Sequence, residues 1–324
     1  MKTLAILDDY QDAVRRLPYW KRLSGRVAID VFHDTLQSED ALVERLKPYA
    51  IVVAIRERTR FTASLLGRLP ALEHLAITGR NSGHVDLEAA TKHGVLVTAT
   101  GGSGAGAIEH TLALILAVVR RVPQEDRAMR EGRWQTTVGV ELSGKTLGIA
   151  GLGRIGSRVA AFGQFLGMRV VAWGPTLTDE RARAAGVTRV DLDELFRQSD
   201  VVSLHLLLSD TSRGIVTGRH LALMKPSAYL VNTARGPLID ETALVAALRE
   251  RRIAGAALDV YDVEPLPRDH PLLALDNVVL TPHLGYVTEE GYRAFFGPVA
   301  ENVESWLNGE TPKRALNPQV LAGR

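Results

Sequence analysis

Short apolar runs alternate with longer amphipathic segments along the whole chain, and that alternation admits few folds. Strand-sized runs fall at Leu4–Leu7, Val27–Phe32, Ile51–Ile55, His74–Ile77 and Val95–Val97. A second series follows at Thr146–Ala150, Val170–Trp173, Val201–Leu204, Tyr229–Asn232, Gly255–Leu258 and Val278–Thr281. Strands separated by helix-length segments imply crossover connections and hence parallel sheets of the α/β class. At 324 residues the chain is too long for one ordinary core. A glycine-rich break, Thr100 to Gly106, lies where the two series part. An apolar helix is expected after it, from about Ile108 to Val122, closed by Pro123. Two α/β units joined near residue 100 are the partition that periodicity gives.

Composition removes several function classes. The formal net charge is +2 with charges interspersed, so no basic stripe marks a nucleic-acid surface. There is no cysteine, which excludes disulfides, thiolate nucleophiles and cysteine-ligated zinc together. Asp8 and Asp9 stop the first apolar run, so a β-strand is expected there rather than a signal peptide. The longest apolar stretch, Leu112 to Val119, is too short to cross a bilayer. A cytoplasmic protein without a membrane partner is the expectation.

Gly151-Leu152-Gly153-Arg154-Ile155-Gly156 satisfies the pattern Gly-x-Gly-x-x-Gly. Such hexamers arise by chance, but this one leaves an apolar strand and opens a helical pattern over Ser157–Leu166. In that setting Gly151 permits a tight turn and Gly153 lets the backbone approach a pyrophosphate. Gly156 allows helix and strand to pack closely, with phosphate charge at the helix N-terminus. One part of the fingerprint is absent. An acid should end the next strand and bind the ribose 2′-hydroxyl, yet Trp173 is followed by Gly174-Pro175-Thr176. Trp173, Gly174 and Thr176 therefore mark the expected ribose position, and NAD and NADP are both open as cofactor.

Three further stretches follow expected strand ends, where open α/β sheets bind ligands. They carry Arg235, Glu264 and His283. Reduction of a 2-oxo acid needs a forked cation for the carboxylate and carbonyl oxygen, a proton donor, and a group that orients the donor. Arg235 has the bidentate geometry a lysine lacks. His283 is of the side-chain type that titrates near neutrality. Glu264 is suited to orient the imidazole and favour its protonated form. Each alone has a bland reading, as surface charge, structural histidine or loop acid; the joint occurrence beyond strand ends carries the chemistry. Nothing in this chemistry calls for a metal.

These motifs, with Ser199-Asp200-Val201-Val202-Ser203-Leu204-His205-Leu206, Met224-Lys225-Pro226, Asn232-Thr233-Ala234-Arg235-Gly236 and Pro282-His283, resemble the D-isomer-specific 2-hydroxyacid dehydrogenases over nearly the whole chain. The resemblance implies two Rossmann-like or flavodoxin-like domains with parallel sheets and an active site in the cleft between domains. It implies a substrate domain of residues 1–100 and 289–324 and a dinucleotide domain of residues 101–288. Arg235 would bind substrate, His283 would be the acid/base and Glu264 its partner. Asp259 would contact the nicotinamide carboxamide, and His205, Thr233 and His283 would line the cofactor. A homodimer formed through the nucleotide domain is implied, with the apolar helix and Arg130–Trp134 near the interface.

Some residues depart from the family pattern. Leu207 stands where proline is usual, and the substrate loop carries Arg80 and Asn81 before Ser82. Arg56 matches an arginine that the phosphoglycerate dehydrogenase branch uses on its substrate, although pairing of Arg56 and Arg80 with Glu57 or another acid is the competing expectation. The expected activity is hydride transfer between NAD(P)H and a small 2-oxo acid of glyoxylate, hydroxypyruvate or phosphoglycerate type. Two rivals are a nucleotide-sensing scaffold like the C-terminal-binding-protein corepressors and a phosphite or formate dehydrogenase. The retained Arg, Glu and His oppose the scaffold, and Glu264 opposes the formate enzymes, which typically have glutamine there.

Overall fold

Parallel strands dictate the architecture, since each must return through a crossover before it can pair again. A computed structural model describes every residue except Asn81, Ser103 and Arg324, and of Gly323 only the backbone. It resolves into two units, Met1–Ser103 with Thr288–Arg324, and Gly104–Val287.

The first unit contains β1 (Lys2–Ile6), β2 (Val27–Val31), β3 (Ile51–Ala54), β4 (His74–Ile77) and β5 (Leu96–Thr98). They form one parallel sheet in the order β2-β1-β3-β4-β5. Its connections carry α1 (Glu39–Leu46), α2 (Ala63–Gly67) and α3 (Leu87–Lys92). Thr62 and Asp86 cap α2 and α3 by accepting hydrogen bonds from Leu65 N–H and Ala89 N–H. Every residue of β3 and β4 is buried, and all but His74 are apolar, as in a sheet covered on both faces.

The second unit opens with α4 (Ala105–Val119) and α5 (Val122–Arg130). Next come β6 (Thr146–Ala150), α6 (Arg154–Phe165), β7 (Arg169–Trp173), α7 (Asp179–Ala184), β8 (Thr188–Arg189), α8 (Leu192–Gln198) and β9 (Val201–Leu204). The unit ends with α9 (Gly218–Leu223), β10 (Tyr229–Asn232), α10 (Glu241–Arg249), β11 (Gly255–Leu258) and β12 (Val278–Leu280). Its sheet runs β12-β11-β10-β9-β6-β7-β8, all parallel, so strand order reverses between β6 and β9. Leu114, Ile115, Ile149, Val170 and Val231 fill one face, and Phe196, Leu204, Leu230, Leu244 and Leu258 fill the other. The last helix, α11 (Glu289–Leu307), belongs to the first unit.

Two expectations need correction. The helix after the glycine break begins at Ala105 and ends at Val119, earlier than expected at both ends. Pro123 does not close it: Arg121 adopts a left-handed φ of 53°, and Pro123 sits in the first turn of α5, where its missing N–H costs nothing. The two-residue strand β8 has no counterpart among the expected strands, since Thr188–Arg189 is exposed and has no apolar run to announce it.

Register puts the functional ends level. Ala150 pairs with both Trp173 and Leu204, while Leu258 pairs with Asn232 and Leu280. The loops after these strands therefore leave one edge of the sheet together. At Gly156 a Cβ would lie 2.1 Å from the Gly151 carbonyl oxygen, a backbone atom with no room to retreat. Gly156→Ala is expected to destabilise this unit by about 3 kcal/mol, the upper range for overpacking. Denaturant unfolding checks this; stability unchanged from wild type would refute the close packing.

Candidate active site

Three loops at the β10, β11 and β12 ends carry Arg235, Glu264 and His283. Buried Asn232 shapes the first: its side chain accepts from Ala234 N–H at 3.0 Å and donates to the Arg235 carbonyl at 2.9 Å. Arg235 Nη1 donates to Ala234 O at 2.6 Å. Gly236 brings this turn against the next loop, since a Cβ there would lie 2.0 Å from the Tyr261 carbonyl carbon. That second loop carries Glu264, whose Oε1 accepts from Tyr261 N–H at 3.0 Å. Its Oε2 lies 2.7 Å from His283 Nδ1. A carboxylate only accepts, so Nδ1 carries the proton in this pair and Nε2 is the ring nitrogen left for chemistry. The His283 side chain is 16% exposed, and its backbone has a φ of 55°.

Asp259 fixes that turn. Its Oδ1 accepts from the Thr281 hydroxyl at 2.6 Å and Leu284 N–H at 2.7 Å, and Oδ2 accepts from Gly285 N–H at 3.0 Å. His110 of α4 brings Nε2 within 3.1 Å of the same Oδ1 and 3.0 Å of the Thr281 hydroxyl. Burial raises the Asp259 carboxyl, but bonds from His110, Thr281 and Leu284 outweigh it and hold the group below the usual aspartate range. The carboxylate expected to face a nicotinamide thus spends most of its bonding capacity on the loop bearing His283. His110 and Thr281 were missed in the sequence, where a histidine inside an apolar helix and a threonine before a proline carry no motif.

The glycine loop lies at the β6 end. Gly151 has a φ of 104°, and its backbone packs against His205, where a Cβ would lie 2.8 Å from the carbonyl carbon. Gly153 is the N-cap of α6 without a side-chain cap, and a Cβ there would meet nothing within 4 Å. The first amides of α6, at Arg154 and Ile155, therefore begin beneath open space, the cradle a pyrophosphate requires. His205 bonds Ser203 at 2.9 Å and is pushed down to about 4 by burial, so its ring is neutral. Thr233 pairs its hydroxyl with Thr111 of α4 at 2.7 Å. Trp173 is half-buried at the end of β7, and Thr176 is exposed.

The substrate-loop candidates belong to the first unit. Arg56 follows β3 with a φ of 58°, donates its N–H to Thr78 Oγ1 at 2.8 Å and places its guanidinium 3.6 Å from Glu57. Its guanidinium also stacks 5.8 Å from the Phe295 ring centroid. Gly79 makes room for it, since a Cβ there would lie 2.0 Å from Arg56 Nη1. Pairing of Arg56 with Glu57, the competing expectation, is present. Arg80 is exposed, Ser82 accepts from Val85 N–H at 2.8 Å, and Asn81 lies outside the described residues.

Residues 112–285 match the profile of the D-isomer specific 2-hydroxyacid dehydrogenase NAD-binding domain. A glyoxylate reductase of Aeropyrum pernix is 42% identical over 275 residues, covering 82% of each chain. The chain belongs to the D-isomer specific 2-hydroxyacid dehydrogenase family. A D-3-phosphoglycerate dehydrogenase of Methanocaldococcus jannaschii is 39% identical over 89% of this chain and 56% of its own. The chain thus spans about half the length of the curated phosphoglycerate dehydrogenases it matches. Among solved structures, a phosphoglycerate oxidoreductase from Vibrio cholerae superposes with a TM-score of 0.91 at 42% identity, covering 95% of this chain and 99% of its own. The family resemblance and the two parallel sheets expected from the sequence stand.

The Glu264 contact sets a test by substitution. Glu264→Gln keeps a hydrogen-bond acceptor opposite His283 Nδ1, whereas Glu264→Ala removes it. In 2-oxo acid reduction, His283→Ala is expected to lose about a hundredfold or more in rate, Glu264→Ala less, and Glu264→Gln least. Glu264→Ala turning over at the wild-type rate would make the contact irrelevant to the chemistry.

Proposed function

We propose that this chain is an NAD(P)-dependent D-2-hydroxyacid dehydrogenase that reduces a small 2-oxo acid and, in reverse, oxidises the 2-hydroxy acid. The observation that carries the proposal is the 2.7 Å His283–Glu264 contact, on a loop against which the Arg235 turn is packed. When bound, the nicotinamide supplies the hydride to the carbonyl carbon. Arg235 offers its fork to the carboxylate and carbonyl oxygen of the substrate. His283 Nε2 gives its proton to that oxygen as the carbon–oxygen double bond becomes a single bond. Glu264 holds the Nδ1 proton and balances the imidazolium before transfer. The open cradle over Gly153 suits a pyrophosphate, with Gly151, Arg154, Ile155 and Gly156 around it.

Arg56 is proposed to act on the distal part of the substrate. Glu57, 3.6 Å away, offsets its charge and weakens its pull on a phosphate. Glyoxylate and hydroxypyruvate are therefore ranked ahead of 3-phosphohydroxypyruvate. A screen of NADH and NADPH oxidation with these acids, pyruvate, phenylpyruvate and 2-oxoglutarate tests the proposal. Turnover of the first two at the highest efficiency is expected. Intact nucleotide binding with no turnover of any 2-oxo acid would overturn the enzyme reading.

A homodimer formed through the second unit is proposed as well. The segment after α5, residues 131–141, is almost wholly exposed and has no strand or helix of its own. It displays Trp134 at 73% and Val138 at 89% exposure, beside Met129 and Val122 of α5. Such a run of exposed apolar side chains marks a contact surface. Light scattering is expected to give twice the chain mass of 35.3 kDa, and Trp134→Arg with Val138→Asp to give the chain mass. A wild-type monomer would refute it. No helix among the described residues is long and apolar enough to cross a membrane. A cytoplasmic location suits an activity drawing on the soluble nicotinamide pool.

A further inference from the structure

Cofactor choice in a Rossmann unit is made where the second strand ends beside the glycine loop. An acid there binds the ribose hydroxyls of NAD and repels the 2′-phosphate of NADP. Here that position is Gly174, after Trp173, and crowding does not explain the missing carboxylate. A Cβ at Gly174 would meet only Leu177 Cβ at 3.5 Å and Gly151 Cα at 4.0 Å, ordinary contacts in a backbone any residue can adopt. The same distances place the position directly beside the first glycine of the loop.

Arg154 of the glycine loop and Arg181 of α7 are the candidates to supply a cation instead. Arg154, within the glycine loop, is turned elsewhere. Its guanidinium lies over Gly104 at the start of α4, where a Cβ would be 2.4 Å from Nη2. Arg181, on α7, is turned toward the gap. Its Nη1 donates to the Thr176 carbonyl at 3.0 Å and its Nη2 to the Leu152 carbonyl at 3.3 Å. It therefore bridges the loop after β7 and the glycine loop, the two segments that flank an adenosine ribose.

Among the described residues no ion pair includes Arg181, and Asp179 of the same helix pairs with Arg189 at 3.2 Å. Two of five guanidinium donors hold backbone carbonyls, which fixes the plane of the fork while leaving donors for an anion. A phosphate takes such a fork bidentately, and the ordering is done before it arrives. An uncharged ribose hydroxyl gains far less from the same group.

We propose that Arg181 reads the 2′-phosphate of NADP, and that with Gly174 it gives this chain a preference for NADP(H) over NAD(H). The inference rests on the reading of the second unit as a nicotinamide-nucleotide unit and deepens it.

Binding of adenosine 2′,5′-bisphosphate and of AMP, measured by calorimetry, isolates the adenosine end from any chemistry. Wild type is expected to bind the bisphosphate at least about tenfold tighter than AMP, the scale of one charge-assisted contact. Arg181→Gln is expected to remove most of that ratio while leaving AMP within about twofold, and Arg181→Lys to keep part of it. Gly174→Asp, which the local space admits, should also collapse the ratio through like-charge repulsion. Equal binding of the two ligands by wild type would overturn the proposal, as would an equal loss of both in Arg181→Gln, which would make the carbonyl bridge merely structural. Binding of NADH alone would sink the proposal and spare the dinucleotide reading; binding of neither NADH nor NADPH would sink both.

Discussion

The buried carboxylate of Asp259 is the interaction on which the rest of the site depends. One oxygen takes the Thr281 hydroxyl, the Leu284 amide and His110, and the other takes the Gly285 amide. Without these bonds the loop after β12 would expose unpaired N–H groups in a buried setting. With them, His283 is held in a left-handed backbone conformation, uncommon for a residue with a side chain but one that histidine enters more readily than most. The Glu264 contact follows from this placement, because Oε2 meets an Nδ1 whose position Asp259 has already set. His110 extends the network to α4, so the first helix of the unit is tied to the loop bearing the proposed acid.

A second constraint is close backbone approach at the topological switch. Gly151 packs on the backbone of His205 across the β6–β9 reversal, and Gly156 packs on the carbonyl of Gly151. Side chains at these positions would push the glycine loop off the sheet. The result is a helix N-terminus, uncapped by any side chain, beneath the open space above Gly153. That opening is a consequence of packing, whatever occupies the site.

What was legible in the sequence follows from the size of each signal. Strands β6, β9, β10 and β11 begin and end as the apolar runs do, because parallel strands buried on both faces read as uninterrupted apolar stretches. Strand β8 has no such run and was invisible. The helix after the glycine break starts earlier than its apolar run because Ala105 and Gly106 are small but helix-compatible, while glycine richness reads as loop. Pro123 reads as a stop in the sequence and is a start in the structure, an ambiguity inherent in a residue that is excluded from helix interiors but suits first turns. Among the proposed functional groups, Arg235, Glu264 and His283 stand out because their side-chain chemistry is distinctive beyond strand ends. Arg181 did not, since an arginine in a short surface helix reads as solvated charge until its bonds to Leu152 and Thr176 are seen.

The central claim is that a hydride passes to the carbonyl carbon of a 2-oxo acid while His283 protonates the oxygen. Label transfer tests it most directly. Hydroxypyruvate is reduced with a nicotinamide cofactor carrying deuterium at the transferable C4 position, and the product is examined by mass spectrometry and chiral separation. The account predicts D-glycerate with one deuterium on C2. Unlabelled glycerate, the L-isomer, or the absence of any reduced product across the 2-oxo acids would contradict it.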